Sequence, residues 1–392
     1  MTICVIPVDG GGAMGTTLLE QVEGLSEVIT ADVEAMERDR RLTDEVVAAI
    51  RATGLNRSLI PTSLGGDDRN LLEVLEAIER IASFDGSVGW CAAISSGSNL
   101  FSGYLARDEA AKVCADPDQG NAGMFGPLGQ VRPNGDGFTL SGRWPFCSNS
   151  LHSAWIGLGT FWYGDGDEPE PIPRYVLVPM DDVTIETTWD APGLCATGSH
   201  HASVDGAAVT RERSITFVDH PWADGPLWRL PLFCVLGPAL GITPLGMARG
   251  ALDEVAKRIE GNVVGMRGGL ADDPVSLADF AEADAALRAA RAGLMDAAGW
   301  AWDHAERGEK VPKPVQAQVM MSMNYGCQVA FDVTATAHRL GGGSAAYADS
   351  SLLRRLRDVQ TARQHIMFGR GARPMLAKTL AGEDTFAPPF IV

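Results

Sequence analysis

The chain is poor in positive charge: 32 lysines and arginines stand against 50 aspartates and glutamates over 392 residues, a formal net charge of −18. A surface of that average sign repels polyanions, and no basic run interleaved with aromatics offsets it, so nucleic acid is not an expected partner. Cysteine is sparse and scattered. The seven, at positions 4, 91, 114, 147, 195, 234 and 327, form no CxxC and no short Cys/His cluster, so neither a disulfide framework nor a metal site is expected. Long apolar runs are missing as well. Leu227 to Leu240 is short and broken by Pro231 and Pro238, and the N-terminus has no basic segment leading into an apolar one, so no membrane association is expected and a reducing cytoplasm is the simplest location. The glycines at 10, 11, 12 and 15 lack the strand, the spacing and the downstream acidic residue of a dinucleotide fingerprint, and residues 1–30 read as a featureless extension.

What is present is globular. Hydrophobic content is 45% and charged content 21%, and the length exceeds what one core usually supports, so two or three packed units are expected. Residues 31–118 read as helical. Val33, Met36, Leu42, Val46, Val47 and Ile50 recur near helical spacing, and Leu71, Leu72, Leu75, Ile78 and Ile81 form a second stripe that Asp85-Gly86 ends. Ser87 to Leu105 is apolar and rich in small residues, which suits a buried helix closely packed on others.

Residues 119–218 change character, with glycine, proline and β-branched residues dominant. Strands are predicted at 137–144, 153–161, 174–179, 183–188, 201–204 and 208–214. Residues 219–392 return to helical periodicity, and four long helices are predicted at 230–259, 277–305, 315–340 and 351–380, with connections short enough for an antiparallel bundle.

Two stretches carry chemistry. In Ser141-Gly142-Arg143-Trp144-Pro145-Phe146-Cys147-Ser148-Asn149-Ser150, aromatics at period two give way to small hydroxyls and amides. That mixture suits the edge and face of a flat ring ligand, and equally a hairpin with core aromatics. In Arg354-Arg355-Leu356-Arg357-Asp358-Val359-Gln360-Thr361-Ala362-Arg363-Gln364-His365, His365 stands eight residues beyond Arg357, about two turns along one side of the predicted last helix. An imidazole with an ordinary pKa near ~6.5 can exchange a proton at working pH; the alternative is a hydrogen-bonded structural histidine. His200 and His201 end a small-residue loop and are open to either a cofactor contact or turn satisfaction. Gly341, Gly342 and Gly343 permit close backbone approach by a ligand or another subunit.

The order helical, β, helical bundle, together with Gly142–Ser150 and the run from Leu340-Gly341-Gly342 to Arg357-Asp358, resembles the acyl-CoA dehydrogenase superfamily over roughly residues 30–380. The resemblance implies a fold with an N-terminal helical domain, a middle β-barrel-like domain and a C-terminal four-helix bundle. It implies that Phe146 lies by a flavin, that Ser148 hydrogen-bonds near its N5, and that Trp144, Phe125, Gly342 and Gly343 help bind the cofactor. It also implies a homo-oligomer, commonly a tetramer.

The stretch Gln364-His365-Ile366 carries no carboxylate where many dehydrogenases of the superfamily hold their glutamate base. The short form Ser141-Gly142-Arg143-Trp144-Pro145-Phe146 and the run Arg363-Gln364-His365 look like the branch of two-component flavin-dependent monooxygenases. That branch implies reduced FMN or FAD from a separate NAD(P)H-dependent flavin reductase, reaction with molecular oxygen to a flavin C4a-(hydro)peroxide, and oxygenation of an aromatic or natural-product-like small molecule, with His365 and Ser148 catalytic. An FAD-dependent acyl-CoA or acyl-carrier dehydrogenase, drawing its base from Glu254 or Glu260, and a non-catalytic flavin-fold binding protein are the alternatives. The 87–105 helix offers Trp90, Ser95, Ser96, Ser98 and Asn99 but no histidine, a departure from several members of the branch.

Overall fold

The computed structural model describes residues 16–261, 264–265 and 268–386; the glycine-rich segment 10–15 lies outside them. Six helices come first: α1 Leu18–Glu23, α2 Leu25–Asp39, α3 Asp44–Ala52, α4 Leu71–Phe84, α5 Gly86–Asn99 and α6 Arg107–Val113. Helix starts at 18 and 25 were not expected from the sequence. The signal is polar and local: the Thr17 hydroxyl accepts from the Glu20 N–H while the Glu20 carboxylate accepts from the Thr17 N–H, a capping box that fixes the first turn. Asp85 ends α4 and starts α5, its carboxylate accepting from the Ser87 and Val88 N–H groups at 2.9 and 3.1 Å. The small residues of α5 work as predicted. A Cβ on Gly89 would overlap Ala82 of α4, so glycine there sets how closely the two helices approach.

Seven strands follow: β1 Ala122–Asn134, β2 Gly137–Trp144, β3 Trp155–Trp162, β4 Arg174–Pro179, β5 Thr184–Glu186, β6 His201–Val209 and β7 Ser214–Thr216. They form one sheet in the order β5-β6-β2-β1-β3-β4-β7, with β1 and β3 parallel and the other neighbours antiparallel. The expected barrel-like closure does not occur. β5 and β7 are edges that do not pair with each other, so this is an open mixed sheet. Both edge strands span three residues, too short a ladder to close a barrel against one another. The sheet has its own apolar core around Trp144, Trp162, Leu140 and Ile156. Gly129 and Gly142 are paired across β1 and β2, and a Cβ on either would overlap the Trp144 indole, so the two glycines form its slot.

The remaining helices are α7 Pro226–Arg229, α8 Phe233–Glu260, α9 Pro274–Glu306, α10 Lys313–Leu340, α11 Ser351–Ala362 and α12 Arg373–Leu380. Three of the four predicted long helices are present within a few residues. The fourth is broken: α11 stops at Ala362 and a 3-10 turn, Ile366–Phe368, precedes α12. His365 therefore lies in the break and not on a helix face. Gly369, Gly371 and Pro374 follow it, residues that disfavour helix continuation. Among the described residues, no helix is long and apolar enough to cross a membrane.

Candidate active site

The turn after β2 is under local strain. Phe146 and Asn149, on either side of Ser148, both adopt left-handed backbone (φ 63° and 64°), a conformation that costs a non-glycine residue about 1–2 kcal/mol. Backbone bonds to the 197–200 loop hold it there, Cys147 N–H to His200 O at 2.9 Å and Asn149 N–H to Thr197 O at 3.0 Å. Strain of this kind is kept where the surroundings over-determine it, commonly at functional sites. Its result is that the Phe146 ring stands outward, 61% exposed, while Ser148 turns inward and is buried.

Around Phe146 stand Trp189 and His201, edge-on, with ring centroids 6.4 and 6.3 Å away. His201 Nδ1 is enclosed without a hydrogen-bond partner among the described residues. An outward aromatic face with an orphaned ring nitrogen beside it fits a planar, heteroatom-bearing ligand such as a flavin ring. His200 does something different. Its Nδ1 accepts from both the Thr188 and Trp189 N–H groups, at 3.1 and 2.9 Å, so it satisfies the turn with an unprotonated Nδ1, and burial lowers its pKa.

Ser148 joins three separated segments. Its Oγ accepts the Trp90 Nε1–H at 3.2 Å and lies 2.7 Å from Ser199 Oγ. Trp90, from α5, meets the His365 ring edge-on at 5.6 Å between centroids. The break after α11 thus brings His365 to the same indole that holds Ser148. The His365 ring is half-buried, its Nδ1 accepts from the Met367 N–H at 3.3 Å, and Phe368 packs 6.2 Å away. That bond leaves the ring hydrogen on Nε2. Burial lowers the His365 pKa from 6.5 to about 4, so the side chain is neutral at physiological pH and not the half-protonated group an ordinary value implies.

The other sequence candidates are placed elsewhere. Trp144 is fully buried and donates its indole N–H to Gly159 O at 2.8 Å; it belongs to the core of the sheet, over the glycines of β1 and β2. Phe125 belongs to an aromatic cluster with Phe101, Tyr175 and Phe217, at 5.8, 5.1 and 5.4 Å. Phe101 follows directly on α5, so the cluster continues the element that carries Trp90. Gly342 and Gly343 lie on an exposed turn after α10, where added Cβ atoms would meet nothing. Within one chain the structure does not bring them to Ser148.

A buried carboxylate ties the site together from below. Asp358 Oδ1 accepts the Leu194 N–H at 2.6 Å, and the Leu194 turn leads to Thr197 and Ser199. Burial, then the Asp85 carboxylate, raises the Asp358 pKa from 3.8 to about 7. The sign of the linkage follows. Between these values the folded chain holds a proton that the unfolded chain has lost, so this contribution is full below about pH 4 and is lost as pH rises to about 7. His365 works in the opposite sense, its contribution being full above 6.5 and lost as pH falls through about 4. A difference measurement separates the two. Asp358→Asn keeps an acceptor for Leu194 without a titrating proton, and its stability relative to the unaltered protein is expected to climb between pH 4 and 7, with a limiting slope of about 1.4 kcal/mol per pH unit. Thermal melts across that range check it; a constant difference contradicts the assignment.

Trp90, Ser199, Thr197 and Asp358 are the site residues that sequence reasoning left without a role. A tryptophan amid small residues in an otherwise close-packed helix was the available signal for Trp90. The others act through hydrogen bonds between segments far apart in sequence, which leave no local pattern.

The model for the acyl-CoA dehydrogenase C-terminal domain matches residues 239–370. The chain is 33% identical to the indole-3-acetate monooxygenase of Pseudomonas putida over 335 residues, 85% of each protein. Among solved structures, the 3-HSA hydroxylase from Rhodococcus sp. RHA1 superposes with a TM-score of 0.88 at 23% identity, over 96% of this chain and 99% of that one. XiaF from Streptomyces sp., in complex with FADH2 and glycerol, gives 0.88 at 23% identity over 95% and 96%. With the three-part fold, the Ser148 turn and the broken helix at His365 in place, one-third identity sustained over five-sixths of a relative shows that the chain belongs to the flavin-dependent monooxygenases built on the acyl-CoA dehydrogenase fold.

Proposed function

We propose that the chain is the oxygenase component of a two-component system, receiving reduced FMN or FAD from a separate NAD(P)H-dependent reductase in the cytoplasm and oxygenating an aromatic or natural-product-like small molecule. The observation that carries this reading is the meeting of Ser148, Trp90 and His365 from three segments. The reduced flavin supplies two electrons to molecular oxygen, so that one oxygen atom enters the product and the other leaves as water.

The residues of the chain have separate tasks in this reading. Phe146 would cover the ring and Ser148 would meet its N5 edge, while Trp144, seated among the glycines of β1 and β2, would stiffen the strand that leads into their turn. Trp90 fixes the Ser148 oxygen in place through its N–H. His365, neutral and carrying its hydrogen on Nε2, holds the proton that the oxygen-transfer step needs at the substrate. Phe125 and Phe217, the half-buried members of the aromatic cluster, would give the substrate side an apolar, ring-stacking wall, with the buried Phe101 and Tyr175 behind them. An aromatic substrate is supported by this wall and by the name of the Pseudomonas putida relative. The division into 31–118, 119–218 and 219–392 corresponds to these tasks, the flavin being held at the middle unit and the proton at the last. We also place Gly342 and Gly343 at the flavin of a second copy in a homotetramer. Light scattering is expected to give four times the chain mass; a monomer at micromolar concentration contradicts this.

The test uses flavin reduced without oxygen. Adding isotopically labelled oxygen and indole-3-acetate or simple phenols is expected to give a product carrying one labelled atom, only when the flavin is supplied reduced. If instead an acyl thioester bleaches protein-bound oxidised FAD in the absence of oxygen, the dehydrogenase reading replaces this one.

A further inference from the structure

Behind Ser148 runs a file of buried hydroxyls. Ser148 Oγ lies 2.7 Å from Ser199 Oγ, and Ser199 Oγ lies 2.6 Å from Thr197 Oγ1. Thr197 Oγ1 in turn donates to Leu194 O at 2.8 Å. All three residues are buried. Each hydroxyl has one hydrogen to give and two lone pairs, so once Ser199 gives its hydrogen to one neighbour, the other neighbour must donate to Ser199.

Two directions are possible. In the first, hydrogens point away from the site: Trp90 Nε1–H to Ser148, Ser148 to Ser199, Ser199 to Thr197, and Thr197 to Leu194 O. Every hydrogen has an acceptor in the chain, and Ser148 keeps one lone pair free. In the second, Thr197 donates to Ser199 and Ser199 to Ser148. Ser148 then receives two bonds, and its own hydrogen points outward with no acceptor among the described residues. Leu194 O tolerates either direction, because it also accepts from Trp189 Nε1 at 2.9 Å and from Thr197 N at 3.2 Å. The protein by itself therefore favours the first direction, in which Ser148 offers an acceptor.

We propose that Thr197 and Ser199 are positioning residues that orient the Ser148 hydroxyl as an acceptor, so that the site selects a flavin whose N5 carries a hydrogen over one whose N5 is a bare acceptor. This rests on the reading of Ser148 as the residue at the N5 edge. Reduced flavin has N5–H and meets the free lone pair with the whole file intact. Oxidised flavin needs a hydrogen from Ser148, which turns the file around and breaks the Thr197 bond to Leu194 O. The difference is one hydrogen bond, worth about a three- to tenfold preference. For a chain that must take up reduced flavin and release it oxidised, the preference has the useful sign at both steps.

The test is equilibrium binding, free of turnover. Dissociation constants for oxidised and anaerobically reduced FMN and FAD are measured for the unaltered protein and for Thr197→Val, Ser199→Ala, Thr197→Ser and Ser148→Ala. Removing the Ser199 hydroxyl frees Ser148 to turn either way, and removing the Thr197 hydroxyl lets the Ser148–Ser199 bond run in either direction. The preference for reduced flavin is therefore expected to fall in both Ser199→Ala and Thr197→Val, by about three- to tenfold, equivalent to a fall of ~14–30 mV in the bound two-electron potential. Thr197→Ser, which restores the hydroxyl, is expected to restore the ratio. If Ser148→Ala changes the ratio while Ser199→Ala and Thr197→Val leave it unchanged, the file does not orient Ser148 and the inference is overturned. If Ser148→Ala leaves both dissociation constants unchanged, Ser148 is not at the flavin and both this inference and its premise fall.

Discussion

His365→Asn is expected to cut coupled product formation by about a hundredfold, while oxidation of reduced flavin continues and its oxygen is released as hydrogen peroxide. The size follows from the usual contribution of a positioned proton-transfer group, about 10²–10⁴-fold. Asparagine is chosen over alanine for a structural reason. His365 begins the 366–368 turn and its Nδ1 accepts from the Met367 N–H, a bond that an asparagine oxygen can replace. His365→Ala removes both the proton and this cap, so a loss of stability would be mixed with the loss of chemistry. Product and peroxide are quantified per reduced flavin consumed. Since His365 titrates near 4, its protonation should not lower coupling between pH 8 and 6. Unchanged coupling in the asparagine variant would remove the proposed role of His365.

Much of the fold was legible because periodicity reports burial. The stripes of α4 and the bundle helices, and the alternation in β2, are local consequences of packing one face, while the apolar run of β4 is buried on both; the structure places those elements within a few residues of expectation. Closure of the sheet was not legible. It depends on whether β5 and β7 pair, and two three-residue strands 30 positions apart carry no pattern that states who their neighbours are. β1 was missed because Gly123, Gly126, Pro127 and Gly129 read as loop. Its register on β3 shifts between Met124 and Gly129, so irregular sequence accompanies irregular pairing.

The candidate site was half legible. Ser148 and His365 stood out by residue type within recognisable runs, yet the helix expected to carry His365 ends at Ala362. What joins them, the Trp90 indole, lies 58 residues from Ser148, and nothing in either segment announces the other. The same holds for the proton chemistry. The lowered pKa of His365 and the raised pKa of Asp358 come from burial against distant segments, which residue identity alone cannot supply.

The second large effect is expected at a residue that carries no chemistry. Gly193 packs against the backbone of α11, where an added Cβ would overlap the Arg357 carbonyl and the Asp358 nitrogen. Both are main-chain atoms of a helix and cannot turn aside as a flexible side chain would. Gly193→Ala must therefore push the Leu194 turn away from α11. That stretches the Leu194 N–H bond to the buried Asp358 carboxylate, and the overlap and the weakened bond together are expected to cost about 3 kcal/mol. The displacement travels along the chain, because Leu194 O receives Thr197 and the file of hydroxyls leads from there to Ser148. A lower melting temperature should accompany weaker binding of reduced flavin. Gly164→Ala serves as the control, since a Cβ there meets nothing and both quantities should stay unchanged. If Gly193→Ala melted lower but bound reduced flavin as before, the turn would be a structural clasp only, and Ser148 would hold its orientation without it.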